Sequence, residues 1–157
     1  MKLWTISYKK VLVEMICLLF ILLFVYAAVS KLTDYGKFKA QLGQSPILTD
    51  FAGIIAVMVP AIEIAIAVLL VFPSMRRLAL YTSYYLMTLF TVYIIAVLNF
   101  SSHVPCSCGG ILEKLGWIEH IVFNLIFVGL ALTGIYLVND KNMDSKFSFN
   151  SLTPKLR

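Results

Sequence analysis

Charge is scarce in this chain: 13% of its 157 residues are Asp, Glu, Lys or Arg, while 61% are hydrophobic. Soluble domains carry roughly 25% charged residues, so this balance excludes a soluble globular fold. Long polar stretches are missing as well. Once four apolar runs are set aside, only loops and short tails remain, and any chemistry must sit in a membrane bundle, at its rim or on a partner. Two histidines and three cysteines keep the candidate reactive groups few. There is no internal repeat.

What is present are four runs, each near the roughly 20 apolar residues that cross a bilayer: 11–30, 51–72, 78–99 and 117–138. They predict an all-α, polytopic membrane protein, a four-transmembrane-helix bundle. The expected organisation is a short N-terminus (1–10), a membrane domain (11–138) and a polar tail (139–157). Lys9-Lys10 before the first run and Ala28-Val29-Ser30 at its end imitate a signal peptide. The run is longer than a signal core of roughly 7–15 residues, which favours a retained anchor.

Basic residues are retained on the cytoplasmic side and so give the orientation. One side carries Lys2, Lys9, Lys10, Arg76, Arg77, Lys141, Lys146, Lys155 and Arg157; the other carries Lys31, Lys37, Lys39 and Lys114. Nine against four places both termini in the cytoplasm and the 100–116 loop outside, on the periplasmic face of a cell inner membrane. The same asymmetry accounts for the net charge of +5, and no nucleic-acid partner is invoked. Membrane lipid is the partner that composition alone implies.

Between the first two runs, Leu32, Tyr35, Phe38 and Leu42 recur at helical spacing among Asp34, Lys37 and Lys39, which predicts an interfacial helix. Ser45-Pro46 reads as an N-cap and first helical position for the second span, and Pro73 as its stop. The third run holds Tyr81, Tyr84, Tyr85 and Tyr93. Tyr81 and Tyr85 can share a face, as packing residues or as a quinone surface.

The outward loop contains His103-Val-Pro-Cys-Ser-Cys-Gly-Gly110. A disulfide needs Cα atoms roughly 4.4–6.8 Å apart, and residues i and i+2 of a strand lie near that limit, so the backbone must turn to join Cys106 to Cys108. Gly109-Gly110 permit such a turn. So small a ring is strained and readily exchanged, which suits a thiol-disulfide relay on the oxidising side of the membrane. An inert bridge, or two idle thiols, is the competing reading. A metal site built from His103, Cys106, Cys108 and His120 is disfavoured, because paired zinc cysteines are usually separated by two to four residues. Cys17 lies about 9 Å into the first run and about 20 Å from the outward side at 1.5 Å per residue. It reads as a buried small hydrophobe that cannot reach the loop.

Glu63, in Pro60-Ala-Ile-Glu63, falls mid-span, where an ionisable group is costly and faces protein or water. It reads either as a carboxyl that pins helix packing or as a proton-handling group. Glu14 sits within a turn of the boundary and reads as structural. His120 and Asn124 are four apart, share a helix face and could orient a substrate, accept a thiol proton or touch a quinone head.

Four spans, Ser30-Lys31-Leu32 leaving the first, Pro60-x-x-Glu63 in the second and Cys-x-Cys-Gly before the fourth together resemble the MauE/DoxX-like membrane proteins over roughly residues 10–138. The resemblance implies a four-helix membrane bundle and, for the MauE branch, a role in maturing the disulfide-rich small subunit of methylamine dehydrogenase. For DoxX relatives it implies quinone-coupled sulfur oxidation. The positions it marks are Lys31, Glu63, Cys106 and Cys108. The chain is also similar to the quinone-linked disulfide generators of the vitamin K epoxide reductase type. Those use Cys-x-x-Cys and a second pair, whereas here the spacing is Cys-x-Cys and no second outward pair exists.

The expectation is therefore a membrane protein that supports thiol-disulfide exchange or disulfide maturation of exported proteins. The catalytic candidates are Cys106, Cys108, His120 and Glu63, and the partner is a thioredoxin-like periplasmic protein. No cofactor motif is identified, and a quinone is the one candidate. The alternative is a non-enzymatic accessory subunit of a larger membrane complex.

Overall fold

The structure is a computed structural model that describes residues 2–44, 48–100 and 116–139. These residues form five α-helices: α1 (Lys2–Thr33), α2 (Tyr35–Gly43), α3 (Ala52–Val71), α4 (Arg76–Phe100) and α5 (Trp117–Asn139). Short 3-10 turns at Thr49–Phe51 and Pro73–Met75 precede α3 and α4. No strand occurs among the described residues. In hydrocarbon each backbone polar group must be bonded within its own segment, which leaves helices as the spanning element here. Four of the five are long and apolar enough to cross a bilayer: Tyr8–Thr33, Thr49–Val71, Pro73–Asn99 and Ile118–Asn139. The protein is a multi-pass membrane protein in contact with lipid.

Each expected span is present, and three are extended by polar or aromatic ends that satisfy the helix but not the apolar count. α1 runs beyond Ser30 through Lys31 and Thr33, α4 starts at Arg76 and α5 ends at Asn139. α3, the second span, closes where Pro73 predicts, because the residue before a proline is pushed out of the helical region. Phe72 accordingly has φ −86° and ψ 115°.

Packing is pairwise. α1 lies most extensively on α3, and α4 on α5. Small residues are buried on both helices, Ala27 and Ala28 on α1 and Ala56 and Ala67 on α3, as is common between membrane helices. The main core gathers Ile16, Cys17, Phe20 and Phe24 of α1 with Ile66 and Leu70 of α3, Leu80 and Met87 of α4 and Ala131 of α5. Phe20 meets Phe127 edge-on at 5.3 Å between ring centroids, a favoured aromatic geometry. Large apolar side chains such as Leu22, Ile54, Val68, Leu89 and Leu125 point outward. In water such a surface would aggregate; in a bilayer it is the solvated face.

The buried hydroxyls of Ser83 and Thr91 are satisfied by their own helix. Ser83 Oγ donates to the Ala79 carbonyl at 2.7 Å and Thr91 Oγ1 to that of Met87 at 2.8 Å, the usual accommodation of such residues inside a membrane helix. The expected interfacial helix is α2. Phe38 and Leu42 are buried against Ala52 and Ala56, with Tyr35 packed at the edge. Leu32 departs from that expectation and is about half exposed. It belongs to α1, and the non-helical turn at Asp34 (φ −106°, ψ 41°) breaks the phase that would have carried it onto the same face. The suggested cap at Ser45-Pro46 lies outside the described residues.

Candidate functional site: a buried ion pair in an apolar cavity

Lys31 occupies the last turn of α1, and its stem and ammonium are almost wholly buried. Its Nζ donates to Glu63 Oε1 at 2.7 Å, and also lies 3.4 Å from the Ala27 carbonyl. Side-chain exposure in the pair is 7% for Lys31 and 1% for Glu63, so the two charges are removed from solvent together. Isolated, either would be expensive in hydrocarbon; paired, each supplies the other's counter-charge. The rings of Phe38 and Phe90 flank the ammonium, with centroids 5.9 and 5.8 Å from Nζ, close enough for cation–π attraction.

Glu63 is set by α3. Pro60 stands one turn before it inside the helix, removing a backbone donor and the hydrogen bond it would make to the preceding turn. Pro60, Glu63 and Ala67 form one buried stripe facing α1. The mid-span carboxyl has Lys31 as its partner. Glu63 Oε2 has no hydrogen-bond partner, which leaves one oxygen available.

The pair opens into a cavity of about 360 Å³ between α1, α2, α3, α4 and α5. Five polar side chains reach its wall: Lys31, Glu63, Tyr93, His120 and Asn124. The remainder is apolar, with Phe24, Ile55, Met58 and Phe90 representative of the lining. His120 and Asn124 do share a face of α5, as their spacing predicts, and are 6% and 3% exposed. Asn124 Nδ2 and the Tyr93 hydroxyl are buried without a hydrogen-bond partner. Most buried polar atoms are bonded, so three orphaned atoms on one cavity mark it as a place where something polar belongs.

The structure thus joins two residues the sequence treated separately, Glu63 and His120, and adds Lys31 and Tyr93. Lys31 was marked only by the family resemblance, and Tyr93 only as one of several tyrosines. A lysine at the end of one apolar run and a glutamate inside the next carry a signal of their own, since opposite charges within a membrane tend to pair. Tyr81 and Tyr85 do not line the cavity. Tyr85 is 67% exposed, and the Tyr81 hydroxyl accepts from Asn139 Nδ2 at 3.0 Å. Cys17 is buried in the main core. Glu14 is half exposed, 3.7 Å from Arg76, about 26 Å along α1 from Lys31 at 1.5 Å per residue. Cys106, Cys108, His103 and Lys114 lie outside the described residues, on the segment that links α4 to α5. Of the four residues weighed as metal ligands only His120 is described, and among the described residues no cluster of three or more His, Cys, Asp or Glu assembles.

Comparison with known proteins agrees with this architecture. The chain is 31% identical over 115 residues to the methylamine utilization protein MauE of Paracoccus denitrificans, a match covering 71% of this chain and 61% of that protein. It therefore spans less than two thirds of the length of that relative. No solved structure gives a significant match. The family model for methylamine utilisation protein MauE matches residues 9–137, from the first turns of α1 to the end of α5. With Lys31, Glu63, His120 and Asn124 all inside that match, the chain belongs to the MauE family.

Proposed function

We propose that this protein supports thiol-disulfide exchange, or disulfide maturation of exported proteins, at the periplasmic face of the inner membrane, with Cys106 and Cys108 as the exchanging pair. The observation that carries this reading is the Cys106-Ser-Cys108 spacing on the segment joining α4 to α5. α5 follows that segment in the chain from Trp117, and its His120 lines the cavity. The relative's name ties MauE to methylamine utilization, and the same process is the first place to look for this chain's exported partner.

In the exchange, one thiolate of the pair attacks a disulfide of a thioredoxin-like partner and forms a mixed disulfide. The second thiolate then attacks the sulfur of its own chain, closes Cys106 to Cys108 and releases the partner's second thiol. Two electrons pass to the partner, which leaves as a dithiol; run in reverse, the loop disulfide oxidises the partner. In this reading His120 and Oε2 of Glu63, which has no hydrogen-bond partner, hold the protons that the thiols lose or gain. Orientation with both termini in the cytoplasm is supported by the basic-residue asymmetry of nine against four.

The test is trapping in intact membranes. A single substitution, Cys106→Ser or Cys108→Ser, should accumulate a mixed disulfide with an exported partner, visible as a mass shift that reductant removes. If both variants leave partner oxidation unchanged and trap nothing, the proposal fails. A stoichiometric complex that survives serine at both positions would instead mark an accessory subunit.

A further inference from the structure

We propose that the cavity beside the Lys31–Glu63 pair binds a neutral, ring-headed molecule dissolved in the bilayer and bearing carbonyl or hydroxyl oxygens, the chemistry of a quinone and its quinol. Size is the first argument. About 360 Å³ lies within the roughly 300–1,000 Å³ of small-molecule sites and is too large to leave dry beside charged and hydrogen-bonding groups.

Access is the second. Met58 and Ile62 of α3 and Leu89 of α4 line the cavity and are also 52%, 39% and 63% exposed. The opening therefore passes between α3 and α4 onto the lipid-facing side, so a ligand enters from the membrane and must be apolar.

Charge and hydrogen bonding choose the head group. Lys31 is neutralised by Glu63, so the site offers no net charge to an anionic lipid or a cation. Its orphaned atoms are of both kinds: Asn124 Nδ2 donates, Glu63 Oε2 accepts and the Tyr93 hydroxyl does either. A carbonyl oxygen satisfies the first and third, and a hydroxyl satisfies the second, so one wall suits the oxidised and the reduced form of the same ring. Phe90 and Phe123 in the lining offer faces against which a flat ring packs. A saturated acyl chain would fill the volume but leave every orphan unpaired.

This inference is independent of the cysteine chemistry, and its test is run in a Cys106→Ser/Cys108→Ser background. The protein is placed in nanodiscs free of quinone and titrated with a short-tailed ubiquinone analogue and with menadione, read by quenching of intrinsic fluorescence. An azido-quinone then maps the contact by photolabelling. Saturable binding is expected, with labels on α3, α4 or α5 residues of the cavity. Tyr93→Phe and Asn124→Leu should each weaken binding at least fivefold, while Tyr85→Phe, which is exposed and off the cavity, should leave it unchanged.

Non-saturable quenching, equal competition by a long-chain alcohol, or labels confined to the outer surface would overturn the proposal. Unchanged affinity in both cavity variants would do the same. Should Asn124→Leu fail to fold, Tyr93→Phe, which removes a single oxygen, and the labelling map decide the matter alone.

Discussion

Lys31 Nζ and Glu63 Oε1 meet at 2.7 Å across 32 positions of sequence, and their contact ties the end of α1 to the middle of α3. Breaking a buried pair by removing one partner costs about 3–5 kcal/mol, because the other charge is left uncompensated, whereas exchanging both for apolar groups is often neutral. Lys31→Met and Glu63→Leu should therefore each destabilise the bundle by about 3–5 kcal/mol. The double variant should recover most of that loss. Thermal unfolding in detergent, followed by helical circular dichroism, gives the cycle. Additive losses in the double variant would mean that the two side chains are not energetically coupled.

Gly134 of α5 is a close-approach position. A Cβ there would lie 3.2 Å from Leu80 Cδ2 and 3.4 Å from Ile16 Cγ2, whereas one at Gly129 would meet nothing within 4 Å. Gly134→Val should cost about 1–3 kcal/mol by overpacking the contact of α5 with α4 and α1. Gly129→Ala should be neutral or mildly stabilising. Equal tolerance at both positions, measured as the fraction of monodisperse protein after heating, would contradict this packing.

Cys17 is 2% exposed among Val13, Ile16 and Phe20. A polar maleimide added to intact membranes should leave it unmodified, and label it only after denaturation. Cys17→Ala should keep any thiol exchange intact, since the residue belongs to the main core and does not line the cavity. Rapid labelling in the folded state would show that the core around Cys17 opens.

The fold was largely legible in the sequence because the bilayer imposes a coarse rule. Runs of about 20 apolar residues must become helices, and each of the four runs did so. Boundaries were less legible. Lys31 and Asn139 extend helices that apolar counting ends earlier, because helix continuation depends on backbone bonding while the count depends on side chains. The candidate site divided in the same way. The shared face of His120 and Asn124 followed from their spacing, and burial of Glu63 from its place in the run.

A four-span, all-helical membrane chain with a mid-span acid, a histidine–asparagine face and an isolated Cys-x-Cys pair can be read from the order of residues alone. Composition and local periodicity act through the solvent and need no knowledge of neighbours. The tertiary fold alone makes Lys31 the partner of Glu63 and sets Tyr93, but not Tyr81 or Tyr85, on the wall of the cavity they share. Those are relations between side chains on different helices. They follow from the rotation and approach of each helix against the next, as at Gly134 beside Leu80 and Ile16, and the pattern along any one stretch of sequence leaves them unspecified.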